Sequence, residues 1–230
     1  MANPSYINAA FRSSNEYEVY LFMKDKYVRL YYTPGKADDK ILTNLTLIGS
    51  GFPSLAGTQF ARPGIDCSFD TEGSEAYIFS NKYCAYIDYA PGSANDKILW
   101  GPFTIAEMFP VLKNTEFENG IDSAFRSTKG KEVYLFKGNK YACIAYDSKV
   151  LVTSIRDITD GFPVLKGTIF ESGIDACFAS HVESEAYLFK GDKYVRMKFT
   201  PHAAGDVLLG DIRPILDGWP VLRPILPINN

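Results

Sequence analysis

Four residues recur at equivalent places in the chain and could together hold a cation: Asn8, Asp66, Asp122 and Asp175. Each opens a short run of small residues closed by phenylalanine, "NAAF", "DCSF", "DSAF" and "DACF". Oxygen is a hard ligand. Four carbonyls around one axis, with or without their side chains, suit calcium, and water completes the usual six to eight contacts. Asn8 removes one charge from such a ring and lowers its affinity. The plainer reading is that these side chains cap the strand entry or bond neighbouring amides. Two residues further on lie Ala10, Ser68, Ala124 and Cys177. Their side chains are too small or soft to ligate strongly, so a second ion there would use backbone groups.

A second recurrent group is Glu18, Glu75, Glu132 and Glu185. These carboxylates could meet a cationic ligand through charge-assisted hydrogen bonds, or pair across a hairpin with the recurrent Lys26, Lys82, Lys140 and Lys193. His181 and His202 are the only histidines, and both fall in loop contexts. Either could ligate haem iron, or simply be solvated. The chain contains no HExxH, GxSxG, phosphate-binding loop or dinucleotide fingerprint, and no nucleophile–base pair is visible. Catalysis has no apparatus here.

These residues can meet only if the chain repeats. The Asn/Asp set recurs at intervals of about 53–58 residues, and a Phe/Trp-Pro pair closes each unit at Phe52, Phe109, Phe162 and Trp219. Four units, about 4–57, 62–115, 118–167 and 171–225, account for residues 1–230 as a single domain. Within a unit the period is two. "EVYLF" or "EAYLF" leads through Gly-Asn or Gly-Asp into a second strand such as "KYVRLYY", which reads as a hairpin. Ahead of it lies the small-residue strand, and after it a loop and one helical turn halted by proline. Unit 2 reads as having a shorter hairpin turn between Phe79 and Tyr83. Unit 3 lacks the loop found as "TPGKADDK", "APGSANDK" and "TPHAAGD". Such a unit cannot bury its own faces, but four arranged radially can. The fold expected is all-β, a four-bladed β-propeller with one short helical turn per blade. Small-residue strands line a narrow channel and aromatic strands fill the wedges.

Bulk composition agrees. Among 230 residues, 46% are hydrophobic and 22% charged, which places the chain with globular proteins rather than disordered ones. Fifteen Tyr and sixteen Phe favour pleated surfaces. A net charge of −3 argues against a nucleic-acid binder. No apolar run approaches the about 18 residues of a membrane span, and "MANPSYINAAF" does not look like a secretory signal. Cys67, Cys84, Cys143 and Cys177 lie inside strand-like runs without CxxC spacing, which points to buried thiols.

The leading (I)-D-A-A-F-like strand, the E-x-Y-x-F-K-G-x-K-Y hairpin and the closing G-F-P resemble hemopexin repeats, four times over. The segments "YINAAFRSS", "DCSFD", "FENGIDSAFRST" and "FESGID" are similar in order and spacing to the albumin-2 class of legume seed albumins. The resemblance implies a hemopexin fold that is not an enzyme, resident in the seed cytosol. It further implies calcium in the channel with possible sodium and chloride, binding of spermine and haem, and a homodimer. It does not identify a haem ligand. Two rival readings are a storage protein with structural ions only, and a propeller binding carbohydrate or protein. Extracellular relatives staple the first and last blades with a disulfide. No cysteine precedes the first repeat or follows Trp219, so closure is expected from packing, and from pairing of "RPILPINN" near the N-terminal strand.

Overall fold

The computed structural model of the protein describes residues 5–228. Four antiparallel sheets follow one another along the chain, one per repeat. The first holds β1 (Ala9–Arg12), β2 (Glu18–Met23), β3 (Lys26–Tyr31) and β4 (Lys40–Leu47). The second holds β5 (Cys67–Asp70), β6 (Glu75–Ser80), β7 (Tyr83–Asp88) and β8 (Lys97–Thr104). The third is β9 (Ser123–Arg126), β10 (Glu132–Lys137), β11 (Lys140–Ala145) and β12 (Val150–Asp157). The fourth is β13 (Ala176–Ala179), β14 (Glu185–Lys190) and β15 (Lys193–Lys198). Its outer edge is covered by two short pieces, β16 (Val207–Leu208) and β17 (Arg213–Pro214). One helical turn follows each sheet: α1 (Ile48–Gly51), α2 (Ile105–Met108), α3 (Ile158–Gly161) and α4 (Ile215–Gly218). The Phe/Trp-Pro pair then breaks it, because proline offers no amide to continue the ladder.

β1, β5, β9 and β13 touch one another in a closed ring. The fold is therefore a four-bladed propeller. Each inner strand pairs through one edge with its own blade, which leaves its other edge toward the common axis. Its side chains leave on both faces and enter the wedges on either side.

The wedges explain the aromatic composition. Along β2, Tyr20 and Phe22 point into the wedge shared with the second blade, while Val19 and Leu21 point into the wedge shared with the fourth. The same alternation sends Tyr77 and Phe79 one way and Ala76 and Ile78 the other. Every wedge thus packs an aromatic face against an aliphatic one, and each fully buried large side chain contributes about 1.5–3 kcal/mol.

The first and last blades close by packing. Ala10, Leu21 and Leu30 meet Phe178, Tyr187 and Trp219, and Leu226 is buried in the same cluster with Ile225 and Ile228 beside it. Tyr6 N donates to Gly191 O at 3.2 Å across the seam. The expected strand pairing of "RPILPINN" does not occur over residues 223–228; Asn229 and Asn230 lie outside the described residues. All four cysteines are buried and free.

The second repeat corrects one expectation. Its hairpin turn has the usual two residues, Asn81 and Lys82, between the paired Ser80 and Tyr83. The tyrosine is displaced by one position instead. Cys84 takes the buried place held by Tyr27, Tyr141 and Tyr194 elsewhere, and Tyr83 is left on the surface. In the other blades that tyrosine lies flat against a glycine of the helical turn, Gly51, Gly161 or Gly218, where an added Cβ would overlap the ring. In the second blade Met108 stands at the glycine's place and fills the volume Cys84 vacates. Among the described residues no helix is long and apolar enough to cross a membrane.

Candidate functional site

The structure brings Asn8, Asp66, Asp122 and Asp175 to one cavity of ≈ 280 Å³ at an end of the channel, shared with Ser5, Asn81 and Lys137. They meet because each immediately precedes an inner strand at the same height around the ring.

Their side chains also have a local task. One oxygen of each accepts a hydrogen bond from the first residue of the hairpin turn in its own blade. Lys24 N donates to Asn8 Oδ1 at 2.7 Å, Asn81 N to Asp66 Oδ2 at 2.6 Å, Gly138 N to Asp122 Oδ2 at 2.7 Å and Gly191 N to Asp175 Oδ2 at 2.7 Å. That turn residue has positive φ in all four blades, and the acceptor stabilises it. The plainer sequence reading, bonding to neighbouring amides, therefore describes one oxygen per residue, and the mouth retains the remainder. In Asp122 the second oxygen is met by Lys137 Nζ at 2.7 Å. Among the described residues lining the cavity, three carboxylates face one ammonium, which leaves the mouth anionic.

Ala10, Ser68, Ala124 and Cys177 lie one layer deeper. The side chains of Ala10, Ala124 and Cys177 are spent in three different wedges. Ser68 Oγ is buried with no hydrogen-bond partner among the described residues. By the same alternation that places Cys67 and Phe69 in the wedge between the second and third blades, the Ser68 hydroxyl turns into the opposite wedge, so only the carboxylate and amide oxygens of the mouth face a cation on the axis.

At their far ends β1 and β9 carry Arg12 and Arg126, while β5 carries Asp70. Arg12 Nε donates to Asp70 Oδ2 at 2.9 Å while its Nη1 donates to Ser180 O at 2.7 Å, so one guanidinium links three blades. Arg126 donates to Thr71 O at 2.8 Å and to Glu72 Oε1 at 2.6 Å, and Tyr146 also donates to Glu72. Sequence reasoning passed over these residues. Their recurrence directly after the inner phenylalanine was the available signal.

The four glutamates do not converge. Each begins the second strand of its own blade and is engaged there: Glu18 with Arg29 at 3.1 Å, Glu75 with the Tyr86 hydroxyl, Glu132 with His202 at 2.5 Å and Glu185 with Arg196 at 3.6 Å. The lysine partners are corrected as well. Lys26, Lys140 and Lys193 pair opposite Met23, Lys137 and Lys190 beside the turn, at the far end of the hairpin, and Lys82 lies within the turn.

Both ring nitrogens of His181 are engaged, and His202 is engaged through Nε2. His181 Nε2 lies 3.0 Å from Ser13 O and Nδ1 lies 2.9 Å from Tyr32 Oη. The Nε2–H donates to the carbonyl and Nδ1 accepts from Tyr32. Burial holds the pKa of His181 below its ordinary value. His202 binds Glu132 across the third and fourth blades.

No protein-family model matches the chain. Albumin-2 of Pisum sativum is 54% identical over 231 residues, spanning 100% of both chains. Among solved structures, the hemopexin-fold protein CP4 from cow pea is 74% identical with a TM-score of 0.96, over 98% of this chain and 100% of that one. A plant lectin with two metal-binding sites from Cicer arietinum is 58% identical with a TM-score of 0.95, over 97% and 100%. Full-length identity at this level, on a propeller built from the same repeats, makes the chain a member of the albumin-2 family of hemopexin-fold legume seed albumins.

Proposed function

We propose that this seed albumin is a non-enzymatic cation-binding propeller whose channel mouth holds calcium. The observation that carries the reading is the shared cavity lined by Asn8, Asp66, Asp122 and Asp175. Calcium accepts mixed carboxylate, amide and carbonyl oxygens in loose geometry, which a ring of flexible carboxylates and strand ends can offer. The chickpea relative with two metal-binding sites supports metal binding in this family. Spermine, a chain of ammonium groups, is read as a competitor for the same anionic mouth rather than as a ligand of the dispersed glutamates. Haem binding, a homodimer whose assembly follows ligand state, and residence in the seed cytosol complete the proposal. A calorimetric titration of metal-stripped protein with calcium, then spermine, then haemin, with hydrodynamic size followed throughout, tests it. Stoichiometric calcium heat, reduced in Asp66→Asn with Asp122→Asn, is expected. Absence of heat and of any size change for all three ligands would leave a storage protein.

The second reading, carbohydrate binding, is favoured by the same relative's being a lectin. Trp100 and Phe103 lie exposed on β8 with ring centroids 5.8 Å apart, a face on which a sugar ring could stack. Retention on sugar resin with elution by free sugar, lost in Trp100→Ala, would support it.

A further inference from the structure

One site departs from the repeat in two residues at once. In the first, second and fourth blades the hairpin position diagonal to the recurrent glutamate is Arg29, Tyr86 or Arg196, which engages it. In the third blade that position is Cys143. The long loop of the first, second and fourth blades passes over this spot on the preceding blade. Gly35 lies over Arg196 and Gly92 over Arg29, and a Cβ on either glycine would come within 2.5 Å of the guanidinium. In the fourth blade the corresponding loop residue is His202, held at φ 60° as the two glycines are at 79° and 73°. Arginine-with-glycine has become cysteine-with-histidine, and histidine here adopts a backbone that favours glycine.

From this pairing we infer that Glu132, Cys143 and His202 form a zinc-class metal site joining the third and fourth blades, separate from the channel. The carboxylate, thiol and imidazole ligand atoms all lie within 4.8 Å of one another. Sulfur, nitrogen and oxygen together select a borderline-soft divalent ion over calcium. A tetrahedron around zinc has edges of roughly 3.3–3.8 Å. The Glu132–His202 contact must therefore open from 2.5 Å and the thiol draw in, which a loop-borne histidine permits. The adjoining cavity of ≈ 250 Å³ is lined by His202, Tyr134 and Thr153 but by neither Glu132 nor Cys143, so it opens the histidine side of the site to solvent and leaves room there for a water as fourth ligand.

Burial pushes the Cys143 thiol up to about 12, with Glu132 adding to the shift and Lys129 opposing it. The thiol is thus protonated until a metal displaces its proton, which passes to solvent as the zinc–sulfur bond forms. Binding of the ion by Nε2 requires the imidazole tautomer whose hydrogen sits on Nδ1.

The test is cobalt as a spectroscopic stand-in, followed by zinc, added to the metal-stripped full chain. A thiolate-to-cobalt charge-transfer band is expected in the unsubstituted protein, with a rise in melting temperature on adding zinc. Cys143→Ser abolishes the band, and His202→Gly, which restores the residue of the sister loops, weakens binding at least about tenfold. Asp66→Asn with Asp122→Asn leaves the band intact, which separates this site from the channel mouth. No band, or zinc binding equal in all variants, overturns the inference. In that case His202 is merely the glutamate's replacement partner.

Discussion

The mouth aspartates show how one carboxylate can serve fold and ligand together. An oxygen locks the hairpin turn, and the charge remains for the axis. Asn8 shows that an amide oxygen suffices for the turn, since it accepts from Lys24 N as the carboxylates do from their own turns. Asp66→Asn should therefore fold with near-normal stability and lose calcium affinity. Asp66→Ala should additionally lose about 1 kcal/mol or more by stranding the Asn81 amide. Thermal melts beside calcium titrations separate the two effects. Lys137, ion-paired with Asp122, opposes a cation, so Lys137→Met, which installs the residue of the first blade, should raise calcium affinity. Asp39 makes a pH prediction at the same scale. It lines a cavity of ≈ 50 Å³ with Tyr187 and Trp219, and its Oδ2 has no hydrogen-bond partner among the described residues. Burial, then Asp38, pushes its pKa up to about 7. The native state consequently holds more protons than the unfolded chain between about pH 4 and 7, and stability from this group falls as pH rises through that window. Asp39→Asn should flatten the decline between about pH 4 and 7 in thermal melts; an unchanged slope would show that Asp39 titrates normally.

At the scale of elements, the repeat is held together by paired exchanges. Tyrosine against glycine in three blades becomes Cys84 against Met108 in the second. Transplanting half of the exchange should fail. Gly51→Met alone drives a Cβ into the Tyr27 ring and hydroxyl, and should cost several kcal/mol, beyond the about 1–3 kcal/mol of ordinary overpacking. Adding Tyr27→Cys should recover much of the loss, with a favourable coupling of about 0.5–3 kcal/mol in a double-mutant cycle. Additive losses would show that the two positions pack independently. Elements are also where sequence and structure agree best. The inner strands, the hairpins and the helical turns before Phe/Trp-Pro were legible because each is written by local alternation or by proline. The register of the second repeat was not. The shifted tyrosine in "SNKYC" imitates a shortened turn, although counting from Phe79 to Cys84 restores the common length. The glutamate partners were missed for a related reason. The recurrence of the lysines on the second strand suggested pairing across the hairpin, whereas the register places Arg29 and Arg196 diagonally across from Glu18 and Glu185. The approach of His202 to Glu132 joins two blades and could not be seen in either repeat alone.

For the whole molecule the weak point is the seam between first and last blades, which no disulfide closes. It is held by the cluster around Trp219 and Leu226 and by the Tyr32–His181–Ser13 chain. Trp219→Ala should cost about 3–5 kcal/mol, which is a large share of the stability of an ordinary domain. His181 adds an acid sensitivity. Its pKa is lowered on folding, so the unfolded state binds the proton more readily, and stability is lost as pH falls below about 6.5. Hydrogen exchange at pH 5 should accordingly open the residues near Tyr6 and Leu226 before those of the other three wedges; uniform opening would contradict a seam-limited ring.

The central claim is that the four inner-strand entries form one cation site on the axis. An anomalous difference map from crystals grown in calcium addresses it directly. The account predicts an axial peak about 2.3–2.6 Å from oxygens of Asn8, Asp66, Asp122 and Asp175. A mouth holding only water, or calcium found solely away from these residues, would contradict it.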